Sequence, residues 1–429
     1  MEGGLVAEEV GRHHDGDPIS GPWGGQRVFE GVLLERVSFQ TVRETNLRSV
    51  LGTVRELAPC SRAAVAANTG LNKTTVSSLV ADLMERGLVR ETGETSQRRV
   101  GRPGVLLALD DRSVAAVGLE VNVDYLSVVA VDLLNRGLVE RHVPLDARAE
   151  GAEKCARRIS ETLREVAEDP ALRGRRLVGV SVAVPGLIDV PSGVVTRAPN
   201  LGWRDVPLGD LVRGSLDGVP VLVDNDANLG AMAEFRFGPC AGIPDLVYLT
   251  GEVGIGAGVL TGGELVRGSG GWAGEVGHLE LEPDGPECSC GRRGCLEALA
   301  GVGAILREAL PGSSGGDVSE LVALTVERAE AGDPTVLGAL ERAGDRLGRG
   351  VAVLVNVVNP GAVVLGGYFV PLAPWLLPRC REAALARSFA PDAGGCRVEP
   401  SDLGLSAAAR GGAAVMIHSL ETGDLPLPR

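Results

Sequence analysis

An excess of positive charge is what this chain most plainly lacks. Its formal net charge is −14, and only two of its 429 residues, Lys73 and Lys154, are lysines, so arginine carries the positive charge. A chain of that balance is not, as a whole, a binder of polyanions. A disulfide framework is missing too. Five of the eight cysteines (Cys60, Cys155, Cys240, Cys380, Cys396) are scattered without regular spacing, which fits a reducing cytoplasm. The first residues hold neither a basic n-region nor an apolar h-region, so no signal peptide is expected. Nor is there an unbroken hydrophobic run long enough for a membrane. Residues 350–378 are free of charge, but Asn356, Asn359, Pro360, Gly366, Gly367, Pro371 and Pro374 interrupt them. A buried helix end, a turn and a buried strand are expected there instead. Aromatic residues are only 3%, yet 44% of the chain is hydrophobic, which suits well-cored globular domains, two to four at this length.

What is present centres on Gly274–Glu297, GEVGHLELEPDGPECSCGRRGCLE. Cys288, Cys290 and Cys295 form C-x-C-x4-C, with His278 ten positions before the first. One imidazole and three thiolates make a complete tetrahedral set for Zn²⁺, of the closed structural type. Buried free cysteine is common in cores, but three within eight residues, flanked by Gly and Arg, do not resemble core packing. Glu275 and Glu297 bracket the ligands, with acceptor capacity to spare for a bound hydroxyl compound.

Charge is unevenly spread. Residues 41–109 hold ten basic and six acidic side chains, a balance of +4 that leaves −18 elsewhere. Residues 1–40, rich in Gly, charge and His and without periodicity, read as a disordered leader. From Thr41 a helical period appears: Leu47, Val50, Leu51, Val54 and Leu57 share one face, and Pro59 ends it. Ser61 can cap a short second helix stopping at Gly70, and Asn72 a third with Val76, Leu79, Val80 and Leu83 as its apolar stripe. The other face of the third helix is Lys73, Thr74, Thr75, Ser77 and Ser78. Leu88–Glu91 and Val105–Leu109 alternate like strands, and the loop joining them carries Arg98, Arg99 and Arg102. This order predicts a winged helix-turn-helix over 41–111. Asn72, Lys73, Thr74, Thr75, Ser77 and Ser78 would meet bases and the three loop arginines phosphates or a minor groove of double-stranded DNA. A small helical subdomain with a solvated basic loop is the plainer alternative.

Past Asp111 the period becomes that of strands. Val114–Val121, Tyr125–Val131 and Leu138–Val143 read as a meander, Glu153–Ala167 as a helix, and Leu177–Val184 and Val219–Val223 as buried strands. Leu229–Phe237 is helical, and from Leu246 a similar order restarts. Period alone supports an α/β body, divided here as 112–225 and 226–429.

The ordered run G-E-x-G-H followed by C-x-C-G-x-x-G-C-L-E resembles the signature of the ROK family (repressors, open reading frames and kinases). The helix-turn-helix places the chain with its repressor branch, of the xylose-repressor and N-acetylglucosamine-repressor type. The resemblance implies a two-lobed, actin-like sugar-kinase fold after the winged helix. It also implies one structural zinc on His278, Cys288, Cys290 and Cys295, and a sugar pocket built from Asn200, Asn225, Asp226, Glu275, His278 and Glu297. In similar kinases the Asp at position 226 takes the proton of the sugar hydroxyl that is phosphorylated; here it would be a vestigial base. The kinases carry D-x-G-G-T after the first strand, where bare glycine backbone cradles phosphate. This chain has Glu120, Val121, Asn122, Val123 and Asp124, and Glu252-Val253-Gly254 in place of the second phosphate loop's G-T-G. Asp124 and Glu252 would face the triphosphate, like charges that repel by roughly 1 kcal/mol in water at ~4 Å and more in a site. The expectation is a sugar-responsive regulator without catalysis, binding a palindromic operator as a homodimer or homotetramer. The rivals are an ATP-dependent sugar kinase with an added DNA-binding domain, and a DNA-binding protein with a vestigial pocket.

Overall fold

The computed structural model describes residues 39–95, 105–313, 316–390 and 395–428. The segment read as a leader therefore lies almost wholly outside the described residues, as do Arg98, Arg99 and Arg102.

The head follows the expected order. Its first helix is Phe39–Leu57, its second Arg62–Thr69 and its third Lys73–Glu85. The Ser61 side chain accepts from Ala64 N and caps the second helix, which Gly70 ends in the left-handed region. Asn72 caps the third by accepting from Thr75 N. Strands Val89–Thr95 and Val105–Leu109 pair antiparallel, and Cys60–Ser61 adds a short third strand.

The body holds two five-stranded sheets of one plan. The first runs, in spatial order, Val221–Asn225, Arg176–Val184, Val114–Val121, Tyr125–Asp132 and Gly137–Pro144. The second runs Arg397–Pro400, Ala362–Gly367, Leu246–Gly251, Ile255–Thr261 and Glu264–Leu265. Each opens with two strands parallel to the central one and closes with an antiparallel meander. The central strands are buried along their whole length, which accounts for their unbroken apolar runs. The repeated plan matches the restart of strand–helix order in the sequence.

Some elements differ from expectation. The helix after Val221–Asn225 starts at Asp226, not Leu229, because Asn225 caps it by accepting from Asn228 N. We call Asp226–Phe237 the cleft helix. A small sheet of Leu187–Asp189, Val194–Ala198 and Trp203–Val206 was not foreseen; its strands are too short to show a period. After the expected helix end and strand within 350–378, Phe369–Arg387 is helical despite Pro374 and Pro378. Their spacing of four removes overlapping links of the helical ladder. Among the described residues no helix is long and apolar enough to cross a membrane.

The C-terminal helix, Ala407–Thr422, departs from a simple division at 225/226. It packs on the first sheet and along the cleft helix. A Cβ at Gly118 would stand 1.8 Å from Ala409 O, and one at Gly411 1.8 Å from Leu229 O. Only glycine lets the backbones approach this closely. The same helix completes the core of the head: Leu47, Val50, Leu51 and Val54 share one buried cluster with Met416, Ile417 and Leu420.

Candidate functional site

A cavity of about 520 Å³ opens at the C-terminal ends of the first sheet's parallel strands, facing the Thr250–Gly256 hairpin of the second sheet. That volume lies within the usual range for small-molecule sites, and strand ends are where α/β sheets present ligands. The structure brings Asn200, Asn225, Asp226, Glu275, His278 and Glu297 together on its wall.

Each is placed by local structure. Asn200 sits in the turn between two strands of the small sheet. Asn225 uses its oxygen as the helix cap and donates from Nδ2 to Gly186 O at 3.1 Å, which fixes its orientation. Asp226, 8% exposed, accepts from Ala227 N at 2.9 Å. Burial pushes its carboxyl up to about 6, against those backbone hydrogen bonds. Glu297 Oε2 accepts from Ile255 N at 3.2 Å and its Oε1 from Ser289 Oγ at 3.0 Å. Gly254 makes room for it, since a Cβ there would lie 2.2 Å from Glu297 Oε2. Beside the cavity, Asp224 is 1% exposed and is held by both guanidinium nitrogens of Arg267, at 3.1 and 2.7 Å.

Among the wall residues that sequence reasoning missed are Trp272, Arg197 and Arg292. Trp272 is 53% exposed. Its signal was an isolated tryptophan after two glycines in an aromatic-poor chain, just before the G-E-x-G-H run.

His278, Cys288, Cys290 and Cys295 present ligand atoms that all lie within 4.8 Å of one another. Zn–S bonds of about 2.3 Å imply a sulfur–sulfur edge of about 3.8 Å in a tetrahedron. Cys290 and Cys295 stand 3.7 Å apart, and His278 Nδ1 is 3.6 Å from Cys288 Sγ. The donor set thus fits a tetrahedral metal of zinc's size and softness. Nδ1 faces the thiols, leaving Nε2 3.9 Å from Glu275. Gly294 shapes the loop, with φ +64° and no space for a Cβ, which would meet Glu282 O at 1.5 Å. Cys288 also lies 3.6 Å from Glu297, joining the metal cluster to the cavity wall.

At the other end Asn122 and Glu252 line the cavity, and Asn122 also reaches the buried Glu120 and Tyr125. Asn122 Nδ2 donates to Tyr125 Oη at 3.0 Å and to Glu252 Oε2 at 3.2 Å, and Tyr125 Oη donates to Glu120 Oε1 at 3.1 Å. Burial first, then the nearby Asp226 charge, pushes Glu120 up to about 8, and burial with Glu120 raises Glu252 well above its ordinary value. Asp124 is raised as well, chiefly by burial. Burial therefore disfavours the ionised forms of Asp124 and Glu252, which weakens the charge repulsion expected between these carboxylates and a triphosphate. Asn122 Oδ1 accepts from Val123 N at 2.7 Å, and Glu252 N donates to Gly254 O at 3.1 Å. These backbone donors are already engaged.

On the head, Asn72, Lys73, Thr74, Ser77 and Ser78 are exposed and Thr75 is half-buried. The polar face of the third helix is thus free of the body. Asn72 Oδ1 is committed to its cap at 2.8 Å and Ser77 Oγ donates to Lys73 O at 2.9 Å, which leaves Lys73, Thr74 and Ser78 as the unencumbered face.

Comparison with known proteins places these features. The ROK family model matches residues 116–419, and the IclR helix-turn-helix domain matches residues 47–93. The xylose repressor of Bacillus subtilis (strain 168) is 32% identical over 383 residues, covering 89% of this chain and 97% of that protein. A glucokinase of Thermotoga maritima is 38% identical over 245 residues, covering 54% of this chain and 75% of its own. Among solved structures, a ROK family transcriptional regulator described as a homolog of the Escherichia coli MLC protein has a TM-score of 0.75 at 23% identity, covering 89% of this chain and 97% of its own. The repressor relative spans 89% of this chain and the kinase relative 54%, and the chain belongs to the ROK family.

Proposed function

We propose that this protein is a sugar-responsive, DNA-binding transcriptional regulator that acts as a repressor and transfers no phosphate. The observation that carries the reading is the division of the cavity. Six side chains suited to hydroxyl recognition converge at one end, while Asn122 and Glu252 occupy the other, bonded to each other, with the Val123 amide taken by Asn122. A sugar has its hydrogen-bond partners; a triphosphate meets side chains where the kinases offer bare backbone.

One structural zinc on His278, Cys288, Cys290 and Cys295 would supply rigidity rather than chemistry. Held in place, Cys288 and Cys295 flank the loop that leads to Glu297, and His278 turns its other ring nitrogen toward Glu275. Asp226 and Glu297 accept from sugar hydroxyls, Asn200 and Asn225 offer amide groups, and Trp272 closes the mouth.

The same helix that begins in the cavity ends at the head. Asp226 is the first residue of the cleft helix, and Arg236, near its end, lines a seam with Arg55 of the head's first helix. The Arg55 guanidinium pairs with Glu421 of the C-terminal helix and donates to Leu133 O at 2.9 Å. A sugar that favours one setting of the cleft helix thereby favours one setting of the head, by its differential affinity for the two. Two such heads in a homodimer or homotetramer would meet the halves of a palindromic operator in double-stranded DNA through Lys73, Thr74 and Ser78, with Arg98, Arg99 and Arg102 on phosphate.

The test is a coupled phosphorylation assay across a hexose and pentose panel with ATP, run beside calorimetry of the same sugars. Sugar binding without turnover is expected, with binding lost in Asp226→Asn. Turnover that Asp226→Asn abolishes would make the protein a kinase instead.

A further inference from the structure

A second cavity, of about 230 Å³, lies at the seam of head and body and shares no wall residue with the sugar cavity. It is lined by Arg55 from the head, Asn135 from the turn of a first-sheet hairpin, Arg236 and Phe237 from the cleft helix, and Ile417, His418 and Glu421 from the C-terminal helix.

Its charge does not balance locally. Glu421 is engaged twice, by Arg55 and by His418 Nδ1 at 3.6 Å. Arg236 forms neither an ion pair nor a hydrogen bond with any described residue, and its Nε is buried and unpartnered. Burial lowers its pKa; the Glu421 charge opposes this, and the weaker influence of Arg55 lowers it further. Asn135, also on the wall, holds a left-handed backbone at φ +60°, and its Oδ1 is buried and unpartnered. A buried orphan donor and a buried orphan acceptor on one wall each cost free energy until something meets them. Water can meet either one. It cannot neutralise a guanidinium that no ion pair holds.

We propose that this seam binds a small phosphomonoester carrying a free hydroxyl. The phosphate dianion sits between Arg236 and Arg55, the planar donor forks that suit phosphate oxygens. The hydroxyl donates to Asn135 Oδ1, and the carbon chain lies against Phe237 and Ile417. The cavity has room for more than bare phosphate, and a singly charged carboxylate would leave one guanidinium unmatched. This site stands independently of the sugar reading.

Titration calorimetry on the full chain tests it, with glycerol 3-phosphate as the probe and glycerol, inorganic phosphate and sodium chloride at matched ionic strength beside it. Saturable binding of glycerol 3-phosphate is expected, tighter than of inorganic phosphate and absent for glycerol. It should weaken at least roughly tenfold in Arg236→Gln and in Asn135→Asp, which puts a repelling charge in the wall where an Asp tolerates the backbone. Asp226→Asn, which empties the sugar site, should leave it unchanged. No saturable binding, binding unaltered by Asn135→Asp or by a folded Arg236→Gln, or binding lost in Asp226→Asn would overturn the proposal.

Discussion

At the scale of residues, the proposed loss of phosphoryl transfer rests on a few buried atoms. Asn122 feeds one side chain to Tyr125, Glu252 and the Val123 amide. It holds two carboxyls, Glu120 and Glu252, in a place where ionisation is unfavourable. The pH consequence has a definite sign. Glu120 has a folded value of about 8 against an ordinary 4.5. Its contribution to stability is fully present below the unfolded value and is lost as pH rises through about 8. Thermal melts should therefore show a fall in Tm across pH 6–8 that Glu120→Gln flattens. An unaltered slope in that variant would place the proton elsewhere. Gly254→Ala makes a second residue-scale case. The added Cβ meets Glu297 Oε2 and displaces it from Ile255 N. Sugar affinity measured by calorimetry should drop about tenfold or more, with the fold intact by circular dichroism.

At the scale of elements, the proposed zinc loop and the packed helices carry separate predictions. Removing metal with a chelator should lower both Tm and sugar affinity, because Glu297 and His278 lose their anchor; readdition of Zn²⁺ should restore both. Gly411→Ala should cost on the order of 1–3 kcal/mol by denaturant melts, since its Cβ would strike Leu229 O and push the C-terminal helix off the cleft helix. Much at this scale was legible in the sequence. Leu47 to Val54 announced the head's first helix, Ser61 and Asn72 the caps of its second and third, and C-x-C-x4-C with His278 the cluster of ligand atoms, because each signal is local. The start of the cleft helix at Asp226 was hidden by a run of Asp and Asn that reads equally as a turn. The small sheet carrying Asn200 has strands too short to announce themselves, and two prolines masked the Phe369–Arg387 helix. That the C-terminal helix returns to the first sheet is a long-range fact, visible only as glycines at Gly118 and Gly411 whose partners the sequence does not name.

At the scale of the whole molecule, the doubled sheet plan brings two sets of strand ends to one cavity, and the C-terminal helix ties that body to the head through one continuous core. The head leaves Lys73, Thr74 and Ser78 facing outward. Lys73→Ala should weaken DNA binding and reduce its salt slope by about 1. Ser78→Ala should instead relax preference at a base position, read by selection from a random pool.

The most direct test of the account is the affinity for a DNA duplex selected from such a pool, followed by fluorescence anisotropy while sugars are titrated in. At least one hexose or pentose should change the affinity of the wild-type protein roughly tenfold or more, within the usual range of coupling between sites, and leave Asp226→Asn unmoved. DNA affinity that no sugar in the panel alters, or that shifts equally in Asp226→Asn, would contradict it.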